Sequence, residues 1–156
     1  MLREFFQDII DIQEVEAIVL SDNQNNNFDL WSLPNFPAIK MYEITEMYLQ
    51  IFSVYEQLMH SIDEIIFPYE KGIVYVKNQS SFFLIIFASR RADTSLLRLT
   101  VENNLYDLHN SKRGKKLLKK SPQSKYQYFS SMELDDAEKI MIQNVFENKD
   151  VYGLAE

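Results

Sequence analysis

Apolar residues near the start of the chain recur at helical spacing. Leu2, Phe5, Phe6, Ile9 and Ile10 fall on one side, while Arg3, Glu4, Gln7, Asp8 and Asp11 fill the other, which predicts a short amphipathic helix. Residues 15–21 (VEAIVLS) are rich in β-branched side chains and predict a strand. Residues 22–27 (DNQNNN) form a polar turn, because Asn and Asp tolerate left-handed backbone. Residues 28–33 (FDLWSL) alternate apolar and polar and predict the returning strand of a hairpin, with Pro34 and Pro37 breaking the chain after it.

Residues 39–60 carry the longest helical pattern. At about 100° per residue, Glu43, Glu46, Gln50, Ser53, Gln57 and His60 make one narrow polar stripe. Met41, Ile44, Met47, Tyr48, Ile51, Val54, Tyr55 and Leu58 cover one apolar face. Tyr42, Leu49, Phe52 and Met59 extend that face round the back, interrupted only by Thr45 and Glu56. The apolar arc spans roughly two-thirds of the circumference, whereas a helix covering one sheet needs about 100° or somewhat more. The surplus must be buried against a partner or elsewhere in the chain.

Residues 63–69 (DEIIFPY) and 73–76 (IVYV) read as two strands joined through Glu70, Lys71 and Gly72, with Gly72 supplying permissive backbone for the turn. Pro68 cannot donate to a ladder, so its strand belongs at an edge or its end. Residues 78–81 form a turn. Residues 82–88 (FFLIIFA) are apolar at every position, which predicts a central strand covered on both faces. Asp93 is placed to cap a further helix whose stripe is Leu97, Val101, Leu105 and Leu108 and whose end lies near Gly114.

The order α-β-β-α-β-β-β-α predicts an α/β (α+β) domain: a single antiparallel five-stranded sheet with helices on both faces. It occupies residues 1–114. Residues 115–156 read as a basic linker followed by a C-terminal amphipathic helix. There Ser130 and Glu133 make a capping box, and Leu134, Ala137, Ile140, Met141 and Val145 make the stripe. The acids Asp135, Asp136 and Glu138 suit the first turn of that helix rather than a metal.

Composition removes several chemistries. There is no Cys, so there is no thiolate nucleophile and no Cys-based zinc site. Gly72, Gly114 and Gly153 are the only glycines and lie far apart, so a phosphate-cradling loop is excluded. His60 and His109 are the only histidines and read as surface or cap residues. With no flanked Ser motif either, nucleophilic catalysis lacks its parts. The expectation is a chain that is not an enzyme and takes no cofactor and no metal. Glu4 and Asp8 interrupt any leader-like run at the start, and the longest apolar run is seven residues where a spanning helix needs about 20. The expected location is the cytoplasm.

The formal net charge of −7 hides an asymmetry. Residues 112–125 hold seven basic residues and no acidic one, against 9 basic and 23 acidic elsewhere. The acidic body argues against nucleic acid as a partner. Lys112, Arg113, Lys115, Lys116, Lys119 and Lys120 could contact an acidic partner or a membrane surface, could dock on the chain's own acidic body, or could be solvated lysines at a helix C-terminus. Ser89, Arg90 and Arg91 could meet a phosphate or mark a solvated strand end.

The stretches LREFFQDIIDIQEVEAIVLSD and IDEIIFPYEKGIVYVKNQSSFFLIIFA, taken with the element order, resemble the roadblock/LC7 family, whose fold is longin-related. The resemblance covers roughly residues 1–114. It departs at the first hairpin, where DNQNNNFD lacks the glycine often found there. The resemblance implies a non-catalytic homodimer, or a heterodimer with a related domain, joined through the long helix and the edge strand after it into one sheet. It places Ile44, Tyr48, Ile51, Tyr55, Ile65 and Phe67 at or near that interface. It also implies a scaffold role, with a small Ras-like GTPase as a partner. Two alternatives stay open: a long helix buried between sheet and tail, and a profilin- or PAS-like small-molecule sensing module.

Overall fold

The computed structural model describes residues 1–22, 27–58, 62–79 and 81–120, without the side chains of residues 40, 53, 55, 56 and 120. Five strands form one antiparallel sheet: β1 (Val15–Ser21), β2 (Asn27–Ser32), β3 (Glu64–Tyr69), β4 (Gly72–Gln79) and β5 (Phe82–Ser89). Their order across the sheet is β2-β1-β5-β4-β3. The all-apolar β5 lies at the centre, as its sequence requires. From Phe82 to Ala88 every side chain is fully buried.

The two faces of the sheet are covered separately. Ile18, Leu20, Tyr75, Leu84 and Ile86 face helices α1 (Leu2–Phe5), α2 (Gln7–Ile10) and α4 (Thr94–Asn110). Ala17, Val19, Val74, Val76, Phe83, Ile85 and Phe87 face the long helix α3 (Ala38–Gln57). Strand periodicity of two is what sorts these side chains between the layers.

The first helical segment is broken where the pattern predicts one helix. The chain kinks at Phe6 (φ −122°, ψ 21°), dividing α1 from α2. Leu2, Phe6 and Ile9 remain buried against the α4 stripe of Leu97, Val101, Leu105 and Leu108. The kink lets both short helices follow that stripe. Asp93 caps α4 as expected: its Oδ1 accepts from the backbone of Ser95 at 2.9 Å and of Leu96 at 3.1 Å.

Gly72 holds its place for a reason other than backbone freedom. Its backbone is not left-handed, but a Cβ there would collide with the Ala88 carbonyl of the neighbouring strand. Close approach of β5 is what demands glycine.

Beyond α4 the structure departs from a linker. Helix α5 (Lys112–Lys120) begins two residues after α4 ends and runs through residue 114. Ser111 starts it, accepting from Gly114 N–H through its hydroxyl at 2.9 Å. The helix predicted from the Ser130 cap to near Asn148 lies outside the described residues.

Candidate functional site

Helix α3 covers the sheet with only part of its apolar arc. Met41, Thr45, Tyr48, Leu49 and Phe52 are buried. They lie within about 100° of one another on the wheel, the arc that an ordinary covering helix uses. Glu43 and Glu46 are exposed on the far side. Between these faces runs a charge-free flank of Ile44, Met47, Ile51, Val54 and Leu58. Met47 is 44% exposed and the other four are partly buried.

This flank adjoins the sheet edge made by β3. The link is the ring of Tyr48, which meets Phe67 edge-on with centroids 5.9 Å apart. Phe67 is 46% exposed. Ile65 and Tyr69 share its face of the strand and pack against the α3 side of the core. Ile44 and Ile51 of the flank and Ile65 and Tyr69 of the edge pack against the same core cluster.

Among the described residues β3 pairs with β4 alone, which leaves its outer edge open to them. The Asn78 N–H donates to the Asp63 carbonyl at 2.8 Å. In an antiparallel ladder hydrogen-bonded pairs alternate, so Ile65, Phe67 and Tyr69 bond to β4. The backbone groups of Glu64, Ile66 and Pro68 therefore point to the open edge. Pro68 costs the sheet no internal bond, which explains a proline inside this strand. The edge presents complete donor–acceptor pairs only at Glu64 and Ile66.

Charge fixes this edge strand from the opposite face. The Tyr75 hydroxyl donates to Glu64 Oε2 at 2.8 Å, and Arg98 of α4 reaches Glu64 Oε1 at 2.6 Å. Lys77 bridges Glu64 at 3.5 Å and Glu102 at 2.5 Å. Burial alone would raise the Glu64 carboxyl. The Tyr75 hydrogen bond and the charges of Lys77 and Arg98 outweigh it and hold the group below its ordinary range.

The sequence-derived residues fall into three groups. Ile44 and Ile51 lie on the flank, and Ile65 and Phe67 on the edge strand. Tyr48 lies beneath them, 1% exposed, and burial pushes its phenol up to about 12. The side chain of Tyr55 lies outside the described residues. Met47 belongs with the first group, and its place on the wheel between Ile44 and Val54 is the signal that identifies it. The space between α3 and the sheet is filled by Met41, Tyr48, Phe52, Phe83 and Phe87, so a small-molecule ligand there would have to displace them.

Two of the remaining candidates, Arg90 and His109, have structural partners. Arg90 donates to the Glu70 carbonyl at 2.8 Å and so ties the β3–β4 turn. His109 pairs with Gln79 at 2.9 Å, while His60 lies outside the described residues. Among the described residues no group of three or more His, Cys, Asp or Glu is placed to hold a metal. Among them also, no helix is long and apolar enough to cross a membrane. Lys112, Arg113, Lys115, Lys116 and Lys119 are exposed on α5, and the side chain of Lys120 lies outside the described residues.

No family model matches the chain, and no curated protein matches it. Solved structures do. MglB of Myxococcus xanthus superposes with a TM-score of 0.56 at 13% identity, covering 74% of this chain and 84% of that one. An MglB structure described as having a tetrameric arrangement gives 0.58 at 10% identity, covering 76% and 88%. The roadblock/LC7 domain from Streptomyces avermitilis gives 0.54 at 11% identity, covering 65% and 88%. At such identities the likeness is one of fold: this chain has the roadblock/LC7 fold, a five-stranded antiparallel sheet with helices on both faces.

Proposed function

We propose that the protein is a non-catalytic dimeric scaffold, built by pairing the α3 flank and the open β3 edge of two copies or of this chain and a related domain. One observation carries the reading. Among the described residues, a charge-free apolar helix flank and an unpaired strand edge lie on either side of the Tyr48–Phe67 ring contact. Depletion of charge together with aromatic and Met side chains is the composition of an interface core. An open edge beside it invites strand addition, which supplies main-chain hydrogen bonds while the flank supplies apolar burial.

The roadblock/LC7 resemblance supports a small Ras-like GTPase as the client of such a dimer, in the cytoplasm. The compact unit then runs through α5, with residues beyond 120 as its extension. Sedimentation equilibrium at micromolar concentration tests the dimer, and a strict monomer opposes it. The client is tested by GTP hydrolysis and pull-down with a Ras-like GTPase encoded beside this chain. Binding that differs between the GDP and GTP forms supports the assignment, and indifference to both forms opposes it.

A further inference from the structure

Asn104 is a polar residue on the buried face of α4. It is 3% exposed and shares that face with Leu97, Val101, Leu105 and Leu108. Its Nδ2 donates to Asp8 Oδ2 at 3.1 Å, which turns the other end of the amide, Oδ1, away from that carboxylate. Among the described residues Oδ1 has no hydrogen-bond partner. A buried acceptor left without a donor destabilises the fold, whereas an apolar side chain would complete the stripe without that penalty. The amide therefore calls for a donor that the described residues do not supply.

The same amide lines a cavity of about 230 Å³ between α1, α2 and α4, together with Glu4, Phe5, Gln7, Asp8 and Asp107. Three carboxylates and an amide oxygen are all acceptors, so the cavity favours a ligand that brings donors and positive charge. The Gln7 amide is engaged elsewhere: its Nε2 donates to Asp11 Oδ1 at 2.8 Å. Helix α5, anchored by Leu118 against the same core, brings Arg113 to Glu4. Among the described residues Arg113 pairs with no other member of the cavity, and its side chain is 77% exposed. It balances one charge at the rim. Asp8 and Asp107 form no ion pair among the described residues.

The arrangement selects the kind of cation. Among the described residues these acids are not placed to converge on one metal ion. Acceptors that stand apart are better met by an extended cation. A guanidinium carries five N–H donors in one plane, where an ammonium carries three at a point. Phe5, partly buried in the cavity wall, adds an aromatic surface on which such a plane can stack. Free arginine would bring its own carboxylate into an acidic field, since residues 1–111 hold 16 acidic side chains against seven basic ones. An arginine within a polypeptide carries no such charge. We propose that this cavity receives the arginine side chain of a partner polypeptide, with Asn104 Oδ1, Asp8 and Asp107 accepting from its guanidinium. The cavity lies on the face of the sheet opposite α3, so the inference stands apart from the dimer and from any GTPase.

Titration of the nitrogen-15 full chain with N-acetyl-arginine-N-methylamide, followed by NMR, tests it. The expected result is a saturable shift of the Asn104 side-chain amide and of the Gln7, Asp8 and Asp107 backbone signals. The matched citrulline compound keeps the shape and loses the charge. It should bind at least about tenfold more weakly, as loss of hydrogen bonds to a charged group gives. Asp107→Asn should weaken the arginine compound several-fold with melting unchanged, and Asn104→Leu should abolish the backbone shifts. Asp107 is exposed, so its variant decides the matter even where Asn104→Leu does not fold. Absence of a saturable shift at these positions overturns the proposal and leaves the amide oxygen to water. Unchanged affinity in Asp107→Asn, or equal affinity for the citrulline compound, overturns it too. Equal affinity for N-acetyl-lysine-N-methylamide overturns the choice of guanidinium. Free arginine binding as tightly as the blocked compound overturns the polypeptide source.

Discussion

The ring of Tyr48 stands edge-on to the ring of Phe67, 5.9 Å between centroids, with one ring buried and the other nearly half exposed. Phe67 is thereby fixed from below by a residue that solvent does not reach. The two positions should respond differently to charge. Tyr48→Glu places an unpaired carboxylate in the core and should cost more than about 3 kcal/mol, unfolding the monomer. Tyr48→Phe keeps the ring contact and should leave both melting and association near the parent values. Circular dichroism melts with parallel light scattering separate these outcomes.

Thr45 is fully buried on the sheet-facing side of α3, and among the described residues its hydroxyl has no hydrogen-bond partner. Thr45→Val removes an unsatisfied polar group with little change in volume. The expected gain is about 1 kcal/mol, read as a higher denaturant midpoint with an unchanged slope.

Glu64 links the edge strand to β4 and α4, and its carboxyl is held below its ordinary value of 4.5. A depressed carboxyl stabilises the fold above the unfolded-state value, and that contribution is lost as pH falls through the lower folded-state value. Glu64→Gln should therefore lower stability at neutral pH and converge with the parent as pH falls below the lowered folded-state value. Solvent reaches the group, so the difference at neutral pH should be about 1 kcal/mol or less. Thermal melts of both proteins across this range give the comparison.

Gly114 sits against the Leu108 carbonyl where α5 crosses α4. Gly114→Val should force the helices apart, at a cost of about 1–3 kcal/mol, and free Leu118 from the core. Faster tryptic cleavage after Lys115, Lys116 and Lys119 is the expected readout.

Much of this architecture could be read before any coordinates, and what escaped has physical causes. Phe82 to Ala88 announced a central strand because no position could face water. Pro68 announced an edge because it lacks a donor. The α3 arc announced surplus apolar surface, but not which residues the sheet would take. That division depends on how the helix is rotated, and rotation placed Tyr48 below the surface and Met47 on it. Phe6 gives no warning of a kink, since its spacing is helical throughout. Helix α5 escaped because six basic residues within nine positions obscure the two leucines that anchor it. Gly72 showed a turn and concealed a close strand contact, which local sequence does not encode.

The flank and edge around Phe67 are proposed to join two chains. Sedimentation velocity of the parent and of Phe67→Asp, over a concentration series, checks this. Phe67 is 46% exposed, so the charge should leave the monomer folded and its melting cooperative. The expected result is a dimer for the parent and a folded monomer for the variant, with affinity lowered by about a hundredfold or more, as loss of a central aromatic contact gives. A variant that sediments as the same dimer, or a parent that stays monomeric throughout, would contradict it.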